Sequence, residues 1–429
     1  YRHQDKMKIA VISTSFNTGG AAVVTTRLAR ALMELGHEVR MLTFVNEPGA
    51  PEFVECVSSP SSRYTKFLPE RLRIFVGNGL DRANLFKVSI ANTGMPLHRH
   101  EWVRQADAII LGWVNQGMLS LKGIERLGRL GKPLLWVMHD PWCMTGACHH
   151  PYECTRYREQ CGKCPLISGG KRANDLSHTT WLRKKALYDS TPIQFVAVSN
   201  WLKAKCAESS LLAGKNVTVI PNAFPTEAFR TEPEGPLGLD GVDTSRQLIL
   251  FGAARLDDPI KGLYYAIDAL NLLAERHPET ASRCQAVLFG DIRDASRLNR
   301  LRFPYVHTGR LSDPTQVARL YSAAQIVLST SMYETLPTTL IEGQAAGCLP
   351  VSFGQGGQAD IITHKTDGYI ARYKDSADLA DGILWALNAN VSRDALHRSV
   401  VNRFGAQAVA LRYEALIRSM LVEIGAEKL

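Results

Sequence analysis

The apolar positions of this chain fall in short blocks that alternate between two periods. Ile9-Ala10-Val11-Ile12 is a continuous apolar run of strand length. A turn over residues 14–20 follows and ends in Gly19-Gly20. Residues 21–35 repeat with helical spacing and stop at Gly36, a residue suited to the position after a helix. Residues 39–44 form the next apolar run. Strand, glycine turn, helix and strand in that order predict the start of a parallel α/β sheet. Further strands are predicted over 108–111, 133–138, 194–198 and 217–220.

Residues 226–246 carry Pro, Gly and acids with no apolar period, and read as a linker. After them the alternation restarts, with strands over 248–251, 286–290, 326–330 and 349–353 and helices over 262–276, 317–323 and 338–346. The predicted class is α/β, with two Rossmann-like doubly wound domains facing across a cleft. The first spans 7–225 and the second 247–429, with the last helix packing back on the first domain. Residues 1–6 precede Met7 and are left out of the fold. Ligands of open α/β sheets bind beyond the carboxyl ends of the strands, so the site is expected there and in the cleft.

Composition narrows the class. Of the 429 residues 45% are hydrophobic and 21% charged, as in a globular protein. No apolar run reaches the ~18 residues of a membrane-spanning helix, and no signal-type stretch opens the chain, so a cytoplasmic protein is expected. The net charge of +9 is uneven: residues 1–225 hold 29 Lys and Arg against 17 Asp and Glu, and residues 226–429 hold 21 against 24. A basic first half suits an anionic partner or simply a solvated surface.

Several constellations carry chemistry. Arg255 and Lys261 sit in LILFGAARLDDPIKGL, at a predicted strand-to-helix junction where two cations can hold a diphosphate as a leaving group. In Tyr333-Glu334-Thr335-Leu336-Pro337-Thr338, a helix start exposes backbone N–H groups that bind phosphate. Glu334 precedes that helix and Glu342 lies in its second turn, so two carboxylates can flank the phosphate site and accept sugar hydroxyls. Gly19-Gly20 lets backbone approach a phosphate, although no G-x-G-x-x-G is present. His139-Asp140 follows a predicted strand, where a histidine can face the cleft.

These residues resemble the family 4 glycosyltransferases of the GT-B fold. The likeness covers most of the chain and is densest in the second half. Gly252 to Leu256 with Lys261-Gly262 resembles the family's diphosphate site, and Glu334 with Glu342 its E-x7-E. Ala345-Ala346-Gly347, Gly356-Gly357 and Asp367-Gly368 follow in the family's order, and Val198-Ser199 and Ile220-Pro221-Asn222 match in the first half. The resemblance implies retaining transfer from a nucleotide-diphospho-sugar, UDP- or GDP-linked, with no divalent metal required. By it Glu334 holds sugar hydroxyls and Glu342 the ribose. Arg255 and Lys261 stabilise the departing diphosphate with the Gly20 N–H, Gly19 shares the donor loop, and His139 lies near the donor sugar. Leu336, Pro337 and Thr338 complete the donor-binding helix start. Where the family often has Glu-Gly-Phe this chain has Glu334-Thr335-Leu336, which leaves the donor sugar open.

Five of the nine cysteines fall within residues 143–164. Cys148, Cys154, Cys161 and Cys164 end in C-x2-C, which resembles a zinc knuckle, with Cys143, His149 and His150 as substitute ligands. Structural zinc is expected, with disulfides or free thiols as alternatives, and the insert over 140–170 resembles one found in some capsule and exopolysaccharide transferases. Residues 63–87 interleave basic and apolar side chains, as a segment lying on an anionic membrane does, or as an ordinary helix with a solvated face does. The expected function is sugar transfer to a glycan or polyprenyl-diphosphate-linked acceptor in cell-surface polysaccharide synthesis, with peripheral membrane contact and no nucleic acid. The rivals are a nucleotide-sugar epimerase on the same fold and a nucleic-acid-binding zinc protein.

Overall fold

The computed structural model describes residues 6–232 and 235–426, so residues 1–5 of the excluded segment lie outside it. The chain divides into two compact units, residues 1–223 with 406–429, and residues 224–405.

The first unit holds strands β1 (Lys8–Ser13), β2 (Glu38–Thr43), β3 (Val54–Cys56), β4 (Ala108–Leu111), β5 (Leu134–Met138), β6 (Gln194–Ala197) and β7 (Val217–Val219). They pair in the order β3-β2-β1-β4-β5-β6-β7, all parallel. The middle strands are covered on both faces, which is why they read as unbroken apolar runs. Ile9 lies between Val39 on β2 and Ala108 on β4, so β1 is the strand from which the order runs both ways. The crevice at its carboxyl end is the topological switch point. Helix Gly20–Glu34 leaves β1 there, burying Val24, Leu28 and Leu32.

The final helix, Ala406–Ala426, belongs to this unit. Its buried Glu414 lies 3.7 Å from His37 and 2.7 Å from Arg418.

The second unit holds β8 (Gln247–Arg255), β9 (Cys284–Asp291), β10 (Tyr305–His307), β11 (Ile326–Ser329), β12 (Leu349–Phe353) and β13 (Tyr369–Ala371), parallel in the order β10-β9-β8-β11-β12-β13. Its switch point is the carboxyl end of β8, flanked by β9 and β11. Ile249, Phe251, Leu288, Leu328 and Phe353 from the strands meet Ile267 and Leu270 of helix Leu263–Arg276 in one core.

Two expectations change. Strand β8 does not end at 251 but continues, with a register irregularity after Gly252, to Arg255 opposite Asp291. The stretch read as a linker is already part of the second unit at its start. Phe224 pairs with Gly405, and the ring of Phe229 lies 5.1 Å from Phe224 and 6.1 Å from Tyr321. Two buried aromatics spaced five residues apart have no period to detect.

Candidate active site

The site in the second unit is built by one hydroxyl and two close backbone approaches. Thr330, at the end of β11, donates to the carbonyls of Lys261 (2.7 Å) and Gly262 (2.9 Å), and Met332 N–H donates to Ile260 O at 2.8 Å. Gly262 has φ +64°, and a Cβ there would stand 2.4 Å from Thr330 O, so the Lys-Gly pair needs its glycine. Lys261 closes a short turn, Pro259–Lys261, ahead of helix Leu263–Arg276 rather than opening that helix. The clasp brings Lys261 Nζ into an ion pair with Glu334 Oε1, both half-buried. Glu334 is fixed from behind by Gly356-Gly357. Gly357 N–H donates to Glu334 O at 3.0 Å, and a Cβ on Gly356 would lie 2.2 Å from that oxygen.

Arg255, the last residue of β8, lies 3.0 Å from Asp258 and 3.6 Å from Asp257. Asp258 caps the Pro259–Lys261 turn through Ile260 N–H (3.2 Å), and Asp257 accepts N–H from Arg293 and Asp294 at 3.1 Å each. The acids beside Arg255 therefore hold the loops after β8 and β9.

Helix Thr338–Ala345 follows β11 with Pro337 at its N-cap and no side-chain cap, which leaves its first N–H groups for an anion. Leu336 and Pro337 are buried and Thr338 is half-buried. Glu342 accepts from the hydroxyl of fully buried Tyr321 at 3.0 Å. Burial pushes the phenol pKa far above its usual value, and the Glu342 charge adds to the shift, so Tyr321 remains a donor. Removing that hydroxyl takes one orienting hydrogen bond from Glu342. With Glu342 on the donor ribose, as the resemblance implies, Tyr321→Phe is expected to raise the donor KM about fivefold, the worth of ~1 kcal/mol, with kcat little changed. Steady-state kinetics with an unmoved KM would detach Tyr321 from donor binding.

The first unit has its own crevice at the end of β1. Gly19 precedes helix Gly20–Glu34 with no side-chain cap. The loop before it is held by Glu47, which accepts from Ser15 Oγ (2.6 Å), Phe16 N–H (3.0 Å), Asn17 N–H (3.2 Å) and the Thr18 hydroxyl. Burial alone would raise the Glu47 pKa, and these hydrogen bonds outweigh it and hold it below the usual carboxylate range. Glu47 was not legible in the sequence, since a lone acid after a strand carries no signal.

His139 follows β5, and its Nε2 lies 3.0 Å from Thr25 Oγ1 on helix Gly20–Glu34. Thr25 gives its own proton to Ala21 O (2.7 Å), so Nε2 carries the hydrogen and donates. Burial pushes the His139 pKa down to about 4, against the pull of Asp140 and a hydrogen bond with Asn222. The imidazole is neutral at pH 7. In an NMR titration its resonances are expected to stay unmoved between about pH 5 and 8, and a midpoint near the ordinary ~6.5 would refute the burial argument.

Asp140 is structural. Its carboxylate accepts from Trp142 N–H and Trp113 Nε1 and lies 2.8 Å from His149 Nδ1, each contact 2.8 Å. Burial raises its pKa, but His149 and these donors overcome that and bring it to about 2. His149 also lies 3.0 Å from Ser89 Oγ. It ties the insert to the end of β5.

Among the described residues no three His, Cys, Asp or Glu side chains are gathered so as to hold a metal ion, and all nine cysteines are free thiols. Cys148 and Cys164 pack as small hydrophobes with Ile74, Val88, Ile90 and Ile167. Cys161 Sγ accepts Gly146 N–H at 3.1 Å, and Cys154 is half-buried. Burial pushes the thiols of Cys161 and Cys164 up to about 11 and that of Cys148 higher still, which holds them neutral. Cys148, Cys154, Cys161 and Cys164 lie close enough to influence one another's ionisation.

Two family models match the chain in sequence: Glycosyltransferase Family 4 over residues 18–228, and Glycosyl transferases group 1 over residues 246–389. The chain is a glycosyltransferase of this group 1 and family 4 type. An uncharacterised glycosyltransferase of Methanocaldococcus jannaschii is 26% identical over 418 residues, covering 92% of each chain. Two solved structures share the fold at 16% identity. A Rickettsia africae glycosyltransferase gives a TM-score of 0.62 over 97% of this chain and 99% of its own, and Anabaena HepE in complex with UDP gives 0.59 over 96% and 100%. These neighbours place both sheets in the GT-B fold. The Family 4 match covers the Gly19-Gly20 loop and His139, and the group 1 match covers Arg255, Lys261, Glu334 and Glu342. Among the described residues no helix of this glycosyltransferase is long and apolar enough to cross a membrane.

Proposed function

We propose that this glycosyltransferase is a retaining enzyme that moves a sugar from a UDP- or GDP-linked donor to a glycan or polyprenyl-diphosphate-linked acceptor in cell-surface polysaccharide synthesis. The observation that carries the reading is the gathering of Arg255, Lys261 and Glu334 at the switch point of the second sheet, beside the uncapped helix that bears Glu342. The complex of Anabaena HepE with UDP supports the uridine form of the donor.

In this reading Arg255 and Lys261 take the diphosphate, and the N–H groups before Thr338–Ala345 share its charge. Lys261 is already paired with Glu334, so phosphate binding leaves the carboxylate beside it for sugar hydroxyls. Glu342, oriented by Tyr321, accepts from the ribose. The anomeric carbon–oxygen bond to phosphate breaks and the acceptor oxygen bonds to the same face. The acceptor proton passes to the leaving phosphate oxygen, and a nucleoside diphosphate departs. The charge of the leaving group is met by two side-chain cations, so the reading asks for no divalent metal. Gly19-Gly20 supplies a second anion-seeking helix start, and neutral His139 a hydrogen-bond donor rather than a charge.

A thermal-shift panel of UDP, GDP and ADP tests the donor. A nucleotide at about 100 times its Kd should stabilise the native state by ~2.7 kcal/mol. No shift with any of them, together with salt-dependent retention of random oligonucleotide, would replace this reading with the nucleic-acid one. Product NMR tests retention, and an inverted anomeric centre rejects it. Interconversion of free nucleotide sugar without acceptor would favour an epimerase.

A further inference from the structure

The segment over residues 63–87 has no part in the chemistry above, yet it is the most unusual surface of the first unit. It begins as a wide turn, Arg63–Phe67, and continues as helix Leu68–Gly77. Leu68, Leu72 and Val76 recur every four residues and share one face. Tyr64 precedes them at the same spacing and Leu80 follows. Their exposures are 69% for Tyr64, 62% for Leu72, 58% for Val76 and 66% for Leu80, with Phe86 at 58%. Single exposed apolar side chains need no explanation, but a contiguous stripe does.

The opposite face shows that the fold sets this orientation. Glu70 is wholly buried and accepts N–H from Ile90 (2.7 Å) and Ala91 (2.8 Å). It pairs at 3.0 Å with buried Arg71, which donates to Leu85 O (2.7 Å) and Val88 O (3.2 Å). Ile74 packs into the small core that contains Cys148 and Cys164. A buried ion pair thus fixes the helix to residues 85–91, Ile74 seats it on the cysteine-rich insert, and the apolar stripe is turned outward.

Charge then selects the occupant. Arg63, Arg73, Arg82 and Lys87 are exposed along the segment, Lys66 is half-exposed, and Asp81 is the one exposed acid among these residues. Pairing of the face with a second copy would set like charges against each other across a two-fold axis. An anionic bilayer meets both features at once, since the stripe enters the acyl boundary while Lys and Arg stay among the headgroups. We propose that residues 63–87 form a monotopic docking surface for anionic phospholipid membranes, with Leu68, Leu72 and Val76 as the inserting side chains and exposed Tyr64 and Leu80 at its two ends. This surface shares no residue with the donor reading.

The test is co-sedimentation of the full chain with vesicles of phosphatidylcholine alone or mixed with phosphatidylglycerol. Binding is expected to the mixed vesicles only, and to weaken steeply with salt as screening shortens the Debye length from about 10 Å at 0.1 M. Leu72→Ser with Val76→Ser should lower it roughly tenfold or more, and Arg73→Glu with Arg82→Glu should remove most of its salt dependence. All four positions are exposed, so thermal melting should not move and serves as the folding control. Failure of the full chain to sediment with anionic vesicles at low salt overturns the proposal. So does wild-type binding by the serine pair, and so does a dimer in gel filtration that the serine pair dissolves.

Discussion

Arg255→Ala and Lys261→Ala will each lower sugar transfer by about 10²–10³-fold while the fold survives. A preorganised group aimed at charge that develops in the transition state is typically worth ~3–4 kcal/mol. Both cations stand at the carboxyl end of β8, where a diphosphate leaving group would gain charge. Their ground-state pairs contribute little to stability. Arg255 pairs with Asp258 at 3.0 Å and Lys261 with Glu334, all at least a fifth exposed, and partly exposed pairs are worth ~0–1 kcal/mol. The loss should therefore fall on kcat, with melting temperature nearly unchanged. Arg255→Lys should recover little, because a point charge cannot replace a planar fork on phosphate oxygens. Lys261→Ala carries a second signature. It leaves Glu334 facing the donor phosphate without its partner, so donor KM should rise more than in Arg255→Ala. Turnover within a few-fold of wild type in both variants would remove the leaving-group assignment.

What the sequence made legible follows from where its signals are local. β1 and β5 are covered on both faces, so their apolar runs are unbroken and easily read, and the glycine turn and His139 come with them. Lys261 and Glu334 were each visible from their motifs. Their pairing across 73 residues was not, because it depends on Thr330, a residue with no distinguishing context. Gly356-Gly357 was visible as a pair, but its reason lies in the carbonyl of Glu334, which no spacing reveals. Strands β3, β10 and β13 have three residues each, too few to show a period. The cysteine spacing was legible, but the packing of Cys148 and Cys164 with Ile74, Val88 and Ile90 was not, because those partners come from another stretch of the chain. The cysteine-rich insert hides a residue that sequence reasoning passed over entirely, Lys184.

Raising the pH from about 7 to 8.5 will stabilise the protein relative to its Lys184→Met variant. Lys184 lies on helix Leu176–Ser190 with no exposed surface. Its Nζ donates to the carbonyls of Trp142 and Thr145 and stands 3.3 Å from the centre of the Trp142 ring. Burial pushes its pKa down to about 7, although nearby Cys143, Cys161, Cys148 and Asp140 pull the other way. An unfolded lysine releases its proton near ~10.4. Between those values the unfolded chain holds a proton that the native chain does not, so the contribution of Lys184 to stability rises with pH, by at most ~1.4 kcal/mol per unit. Below about 7 both states are charged and the cost of burying the ammonium stays. The neutral amine keeps two N–H donors for its two carbonyls, so the contacts survive deprotonation. The thiols act in the opposite sense. Cys161 and Cys164, held near 11, are neutral in the native state, while unfolded thiols ionise near ~8.5. Burial raises Cys143, Cys148, Cys206, Cys284 and Cys348 too, so the thiols together oppose the lysine as the pH climbs, and they are common to the wild type and the methionine variant. Lys184→Met matches the side chain in length but strands two buried carbonyls, each worth ~1–3 kcal/mol. It should therefore lower stability at pH 8.5 by about 2–5 kcal/mol. Urea midpoints measured across this range decide the matter. A difference between wild type and methionine variant that stays level from pH 7 to 8.5 would show that another group titrates.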